Sequence, residues 1–192
     1  MGLDISYQSN MVKIEKPDDE DEDGYLIHNY YYSASYNGGF QYQLGSLDNK
    51  SRYTSSNKSE YGSFGAGSYS DYNQWRRQLA LVAGYGDVEN VWNDESFDTT
   101  KNFINLRYLK LKKIDDPDYE CNVVKPFYEL ISFSDCEGLI GTEVCKKLYE
   151  DFVLFDDKAK ETTTQDHYFY KKYLEWKEAF RVASDNGFVS FH

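Results

Sequence analysis

The chain has 192 residues, 40% of them hydrophobic, and carries a net charge of −12, a length suited to one domain with one substantial core. That charge opposes general attraction to nucleic acid, whose affinity comes from Lys and Arg neutralising phosphates. No stretch approaches the roughly 20 apolar residues of a membrane-spanning helix, and the N-terminus lacks the basic-then-apolar order of a secretory leader, so a cytoplasmic location is expected.

Leu3-Asp4-Ile5-Ser6-Tyr7 and Val12-Lys13-Ile14 alternate with period two, which predicts strands interrupted near Ser9-Asn10. Met1 to Ser6 also matches the myristoylation pattern, yet no polybasic segment follows to supply a second membrane signal. Lys16-Pro17 leads into six consecutive acids, Asp18 to Asp23, whose mutual repulsion predicts a solvated loop over 17–24. The other reading of that run is mimicry of nucleic-acid phosphates, aimed at the basic groove of a partner protein. Tyr25 to Tyr32 and Ser33 to Gln43 flank Asn37-Gly38-Gly39 and predict extended segments joined by a glycine turn. Residues 45–60 hold almost no apolar side chain and read as a mobile polar insertion.

Gly62, Gly65 and Gly67 punctuate a short segment before Ser68-Tyr69-Ser70. Tyr72, Trp75, Leu79 and Val82 then recur at helical spacing and predict a helix over 71–83, capped by Ser70 and ended by Gly84. Phe103 to Lys112 reads as a strand, with Asp115-Asp116-Pro117-Asp118 as its turn. Pro126 to Phe133 is extended or briefly helical. The helix opening at Thr142 places Val144, Leu148, Phe152 and Phe155 on one face and Lys146, Lys147, Glu150 and Asp151 on the other, solvated one. A last helix over 164–184 carries Phe169, Tyr173, Trp176, Phe180 and Ala183 in one stripe. Asp185-Asn186-Gly187 breaks it, and Phe188 to Phe191 supplies a final strand. The fold class is α+β: a mainly antiparallel sheet with about three helices packed on one face.

With 19 Tyr, 12 Phe and 3 Trp, large rings must do much of the packing, either as a Tyr-faced sheet or as a surface for planar ligands. Cys121, Cys136 and Cys145 show no CxxC spacing and are expected as reduced thiols.

Two segments concentrate polar chemistry. In the first, Ser134-Asp135-Cys136-Glu137-Gly138 runs toward the Thr142 helix, whose exposed amides favour anions. Asp135 and Glu137 would repel phosphate, so their predicted role is to accept hydrogen bonds from hydroxyl or amino groups. Their structural alternative is to tie down loop amides. The second segment joins the glycine run, Ser68 and Tyr69 to Arg76 and Arg77, a combination of flexible backbone, hydroxyls and forked cations suited to phosphate. It matches neither the dinucleotide fingerprint nor a P-loop, and its alternative is a glycine-rich turn with its arginines paired to acids. Tyr69, Tyr72 and Trp75 offer rings for stacking, although helical spacing equally assigns Tyr72 and Trp75 to the core. Cys136 between two acids is a poor nucleophile, and His28, His167 and His192 share no metal-ligand spacing. No catalytic residue, metal site or cofactor is expected.

The start Met-Gly-Leu-Asp-Ile, the segments Ala66 to Arg76 and Pro126 to Gly138, and the closing Trp176-Lys177-Glu178-Ala179-Phe180, Ser184-Asp185-Asn186-Gly187 and Phe191-His192 resemble an uncharacterised family found in bacteriophages and bacteria. The resemblance implies a phage setting, where small acidic proteins act against host defences, and it carries no catalytic residues. The resulting expectation is a noncatalytic binding protein that captures a small polar, nucleotide-like ligand through Ser68, Tyr69, Arg76, Arg77, Ser134, Asp135, Glu137 and Gly138. Its rivals are an acidic module that inhibits a host protein through Asp18 to Asp23, and a hydrolase built on Asp135 and Glu137.

Overall fold

Side chains that alternate at both ends of the chain build the central sheet. The computed structural model describes residues 2–14, 52–84, 109–113, 116–123, 126–131, 133, 138–162 and 167–192. In chain order its strands are β1 (Gly2–Gln8), β2 (Met11–Ile14), β3 (Arg52–Ser55), β4 (Tyr61–Ser68), β5 (Leu109–Lys113), β6 (Asp116–Val123), β7 (Gly138–Gly141) and β8 (Phe188–Phe191). Its helices are α1 (Tyr69–Ala83), α2 (Tyr128–Ile131), α3 (Thr142–Leu154), α4 (Asp156–Thr162) and α5 (His167–Ala183). The main sheet has the order β4-β1-β8-β7, antiparallel throughout, and β2-β3 and β5-β6 form separate two-stranded antiparallel sheets.

Because side chains switch faces at each residue of a strand, Ile140, Val189 and Phe191 lie on the face that also buries Leu3 and Ile5. There they join Tyr72, Trp75, Leu79, Val144, Leu148, Phe152, Phe169, Tyr173, Trp176 and Phe180 from the three long helices. Leu139 and Phe188, one residue out of phase, turn to the opposite face and meet Met11 and Tyr53 of the β2-β3 pair in a small second core. A slip of one residue in β8 would exchange those two sets, so burial on both faces fixes the register. The architecture is α+β, with the long helices on one face of an antiparallel sheet, as the periodicities predict.

Near the end of β1 the chain makes a close backbone contact. Asn10 and Asn186 both take left-handed φ, at 51° and 50°, a conformation that Asn tolerates well. The amides of Asn10 and Met11 donate to the carbonyls of Asp185 and Asn186, while the Asn186 side chain donates to the Met11 carbonyl. A Cβ on Gly187 would stand 1.9 Å from the Gln8 carbonyl oxygen, so no other residue fits there. The turn predicted from Asp185-Asn186-Gly187 thus joins β1 and β2 to α5 and β8.

Several elements differ from the sequence reading. Within the polar stretch 45–60, residues 52–55 form β3, held by pairing with β2 and by the buried Tyr53 ring. The glycine run is a strand, β4, because its backbone pairs along β1 from Gly62 to Ser68. Helix α1 is capped by Ser68, two residues before the predicted cap. The Ser68 hydroxyl accepts from the Asp71 amide, and the Asp71 carboxylate accepts from the Ser68 amide, a reciprocal box that outcompetes Ser70. Lys113 pairs with Asp116, which puts Asp116, Pro117 and Asp118 in β6 rather than in a turn. The predicted strand beyond Leu109 toward Phe103, the acidic run and the aromatic segments over 25–43 lie outside the described residues. Helix α4 escaped the sequence reading because its seven residues bury only Ala159.

Among the described residues, no helix is long and apolar enough to cross a membrane.

Candidate functional site

Helix α1 carries chemistry on two of its sides. At about 100° per residue, Asp71, Gln74, Trp75 and Gln78 fall in one stripe, and Arg76 projects from the other side of the helix. The stripe borders a hollow of about 90 Å³, closed on its far side by Tyr168 at the start of α5. Trp75 forms the floor: its ring stacks on Trp176 at 5.6 Å and its indole N–H donates to the Phe169 carbonyl at 3.2 Å. Asp71 stands at one end, and its carboxyl is held below the usual range by the Ser68 hydroxyl and amide, so it is an ionised acceptor at neutral pH. The glycine strand reaches the same place. Gly67 has φ 99°, and a Cβ there would lie 2.9 Å from the Tyr168 hydroxyl. Lys172 secures that strand by donating to the Gly65 carbonyl and to Glu175, both at 2.6 Å.

Of the residues predicted for a ligand, Ser68 caps the helix beside this hollow and Tyr69 packs half-buried against the core. Arg77 is exposed. Arg76 is not a surface cation: only 4% exposed, it donates to the carbonyls of Ile131 at 3.1 Å and Phe133 at 2.7 Å and to the Asn73 side chain. Its guanidinium also lies 4.6 Å from the centre of the Tyr72 ring. A planar fork with several donors suits the carbonyls at the end of a short helix. Gly138 is the first residue of β7, paired with Phe191. Ser134, Asp135 and Glu137 lie outside the described residues.

Sequence reading placed Lys147 and Asp151 on the solvated face of their helix, and the structure reverses this. Both are buried, at 7% and 8% exposure, where α2 contacts α3 through Glu129. Lys147 Nζ bridges Glu129 at 2.5 Å and Asp151 at 2.7 Å, and Asp151 also accepts the Phe127 amide at 2.7 Å. Phe127 has φ 55°, a left-handed backbone that is costly for a bulky residue. Its ring packs on Phe152 at 4.9 Å. Burial outweighs the Lys147 charge and pushes the Asp151 carboxyl up to about 6. The segment 127–133 is therefore fixed at its start by Lys147 and Asp151 and at its end by Arg76.

These arrangements explain the remaining candidates. Cys145 is fully buried, its thiol pushed well up by burial and directed at the Ile140 carbonyl, which gives it no nucleophilic role. His192 pairs with the Ser6 hydroxyl at 2.9 Å, and His167 is exposed. Among the described residues no group of three or more His, Cys, Asp or Glu is placed to hold a metal ion. The hollow escaped sequence reading because Tyr168 is far from α1 in the chain. Only the spacing of Asp71, Gln74 and Gln78 hinted at a shared polar face.

What the fold and hollow define is a small α+β protein with a polar, aromatic-floored recess and buried ionic supports. Compared with known proteins, the chain matches no family model, no curated protein and no solved structure.

Proposed function

We propose that this is a noncatalytic binding protein that takes a polar, uncharged part of a small ligand into the hollow between α1 and α5. The observation that carries this reading is the lining: one carboxylate, two amides, one phenol and an indole floor around about 90 Å³. Gln74 and Gln78 each offer both donor and acceptor atoms, Asp71 accepts only, and Tyr168 supplies a ring and a hydroxyl. Such a set complements hydroxyls and ring nitrogens with a planar face. A carboxylate at the rim and no cation in the lining disfavour a phosphate there, so the recess suits the sugar or base of a nucleotide-like ligand rather than its phosphates. The volume accommodates several water molecules, which fits one polar group of a larger ligand.

The phage and bacterial resemblance supplies the setting, capture of a nucleotide-like signal in the cytoplasm of a host cell. Calorimetry of the folded protein against nucleosides, nucleotides and free sugars tests the reading. Heat with at least one nucleoside, abolished in the Gln74→Ala/Gln78→Ala double variant and kept after deletion of residues 18–23, is the expected result. No heat from any member of the panel overturns it.

A further inference from the structure

The Glu129, Lys147 and Asp151 side chains form a buried cluster with two carboxylates and one ammonium. Lys147 is shared between them at 2.5 and 2.7 Å, and Glu129 is only 1% exposed. The excess negative charge has little solvent to stabilise it. The groups facing Asp151 are Lys147 on its own helix, Glu129 and the Phe127 amide from the segment around α2, and the phenol of Tyr173 from α5. That phenol donates to the Phe152 carbonyl and is held protonated by burial first and by the charges of Asp156 and Asp151 among others. The cation acting on the Asp151 carboxyl is Lys147.

We propose that this cluster, which clamps the start of the segment around α2 to α3, is proton-operated: taking up one proton at Asp151 removes the excess buried negative charge and raises the stability of the folded chain. The sign follows from linkage. Asp151 holds its proton more tightly in the folded chain, with a value raised from 3.8 to about 6. Its contribution favours folding below 3.8 and fades as pH rises through 6. Most acid-sensitive proteins lose stability as carboxylates protonate, whereas this group works the other way.

The test is chemical denaturation at about pH 7.5 and about pH 5, comparing the full chain with Asp151→Asn. The variant keeps an acceptor for the Phe127 amide and carries no charge. Relative to the variant, the wild-type folding equilibrium should gain about tenfold on acidification, as a carboxyl displaced from 3.8 to about 6 requires. Parallel pH profiles, or a relative loss at low pH, overturn the proposal. Should the variant fail to fold, carbon-13 NMR of the wild-type Asp151 carboxyl decides the matter. A midpoint near 6 supports the clamp, and one at or below the ordinary 3.8 overturns it.

Discussion

Helix α1 sets two polar sites against each other: Arg76 points inward and grips the Ile131 and Phe133 carbonyls, while Asp71, Gln74 and Gln78 on the other side edge an open hollow. By sequence the arginine is the stronger ligand-binding group, being charged, forked and close to a glycine run. Its surroundings decide otherwise. A guanidinium with 4% exposure that is bonded to main-chain oxygens is a structural strut, and withdrawing it for a ligand would forfeit both buried hydrogen bonds. The glutamines, individually unremarkable, acquire meaning because Trp75 and Tyr168 give them a floor and a wall. Charge type marks what a side chain can do, and burial settles what it does.

That contrast predicts a hierarchy of mutational effects. The largest belongs to Lys147→Met, which strands Glu129 and Asp151 together without a counter-charge and should cost about 3–5 kcal/mol, read as a shifted denaturation midpoint. Next, Arg76→Leu removes both carbonyl contacts and should cost about 3 kcal/mol. An unchanged melting curve for this variant would mean that Arg76 is free to serve a ligand, and the contrast would break. Ser68→Ala opens the capping box and should cost about 1 kcal/mol. It should also return the Asp71 carboxyl toward its ordinary range, which an NMR titration reads directly. Smallest in stability is the Gln74→Ala/Gln78→Ala pair, within about 0.5 kcal/mol of wild type, although ligand heat should disappear in it.

Two carboxylates, Asp71 on α1 and Asp151 on α3, respond to acid in opposite senses. Asp71 is held low by Ser68, so its help to folding is present at neutral pH and is lost as pH falls through its depressed value. Asp151 is held high by burial and helps most after acidification. A Ser68→Ala chain should therefore show a weaker low-pH loss than wild type, and an Asp151→Asn chain should lack the acid-side gain.

Much of the fold was legible because it rests on local periodicity. Phe169, Tyr173, Trp176, Phe180 and Ala183 are all buried, as are Val144, Leu148 and Phe152, and the closing strand falls at Phe188–Phe191. Chain reversal at Asp185-Asn186-Gly187 was equally plain, since few residues besides Asn and Gly accept the left-handed backbone there. The candidate site was legible only in part. Ser68 bonds to Asp71 at the edge of the hollow and Gly67 approaches Tyr168, but Gln74, Gln78 and Tyr168 carry no sequence signal of a site, and Arg76, a phosphate ligand by residue type, is a buried support.

The sequence by itself determined the long helices, the first and last strands, the stripes that bury and the sheet-and-helix class, because spacing along a strand or helix dictates which side chains share a face. Only the tertiary structure decided that Lys147 and Asp151 leave solvent and that Arg76 turns inward. Only there, too, does Tyr168 come to stand over Gly67. Each of those outcomes depends on a partner segment brought in from elsewhere in the chain, with burial and pairing energies that no local pattern encodes.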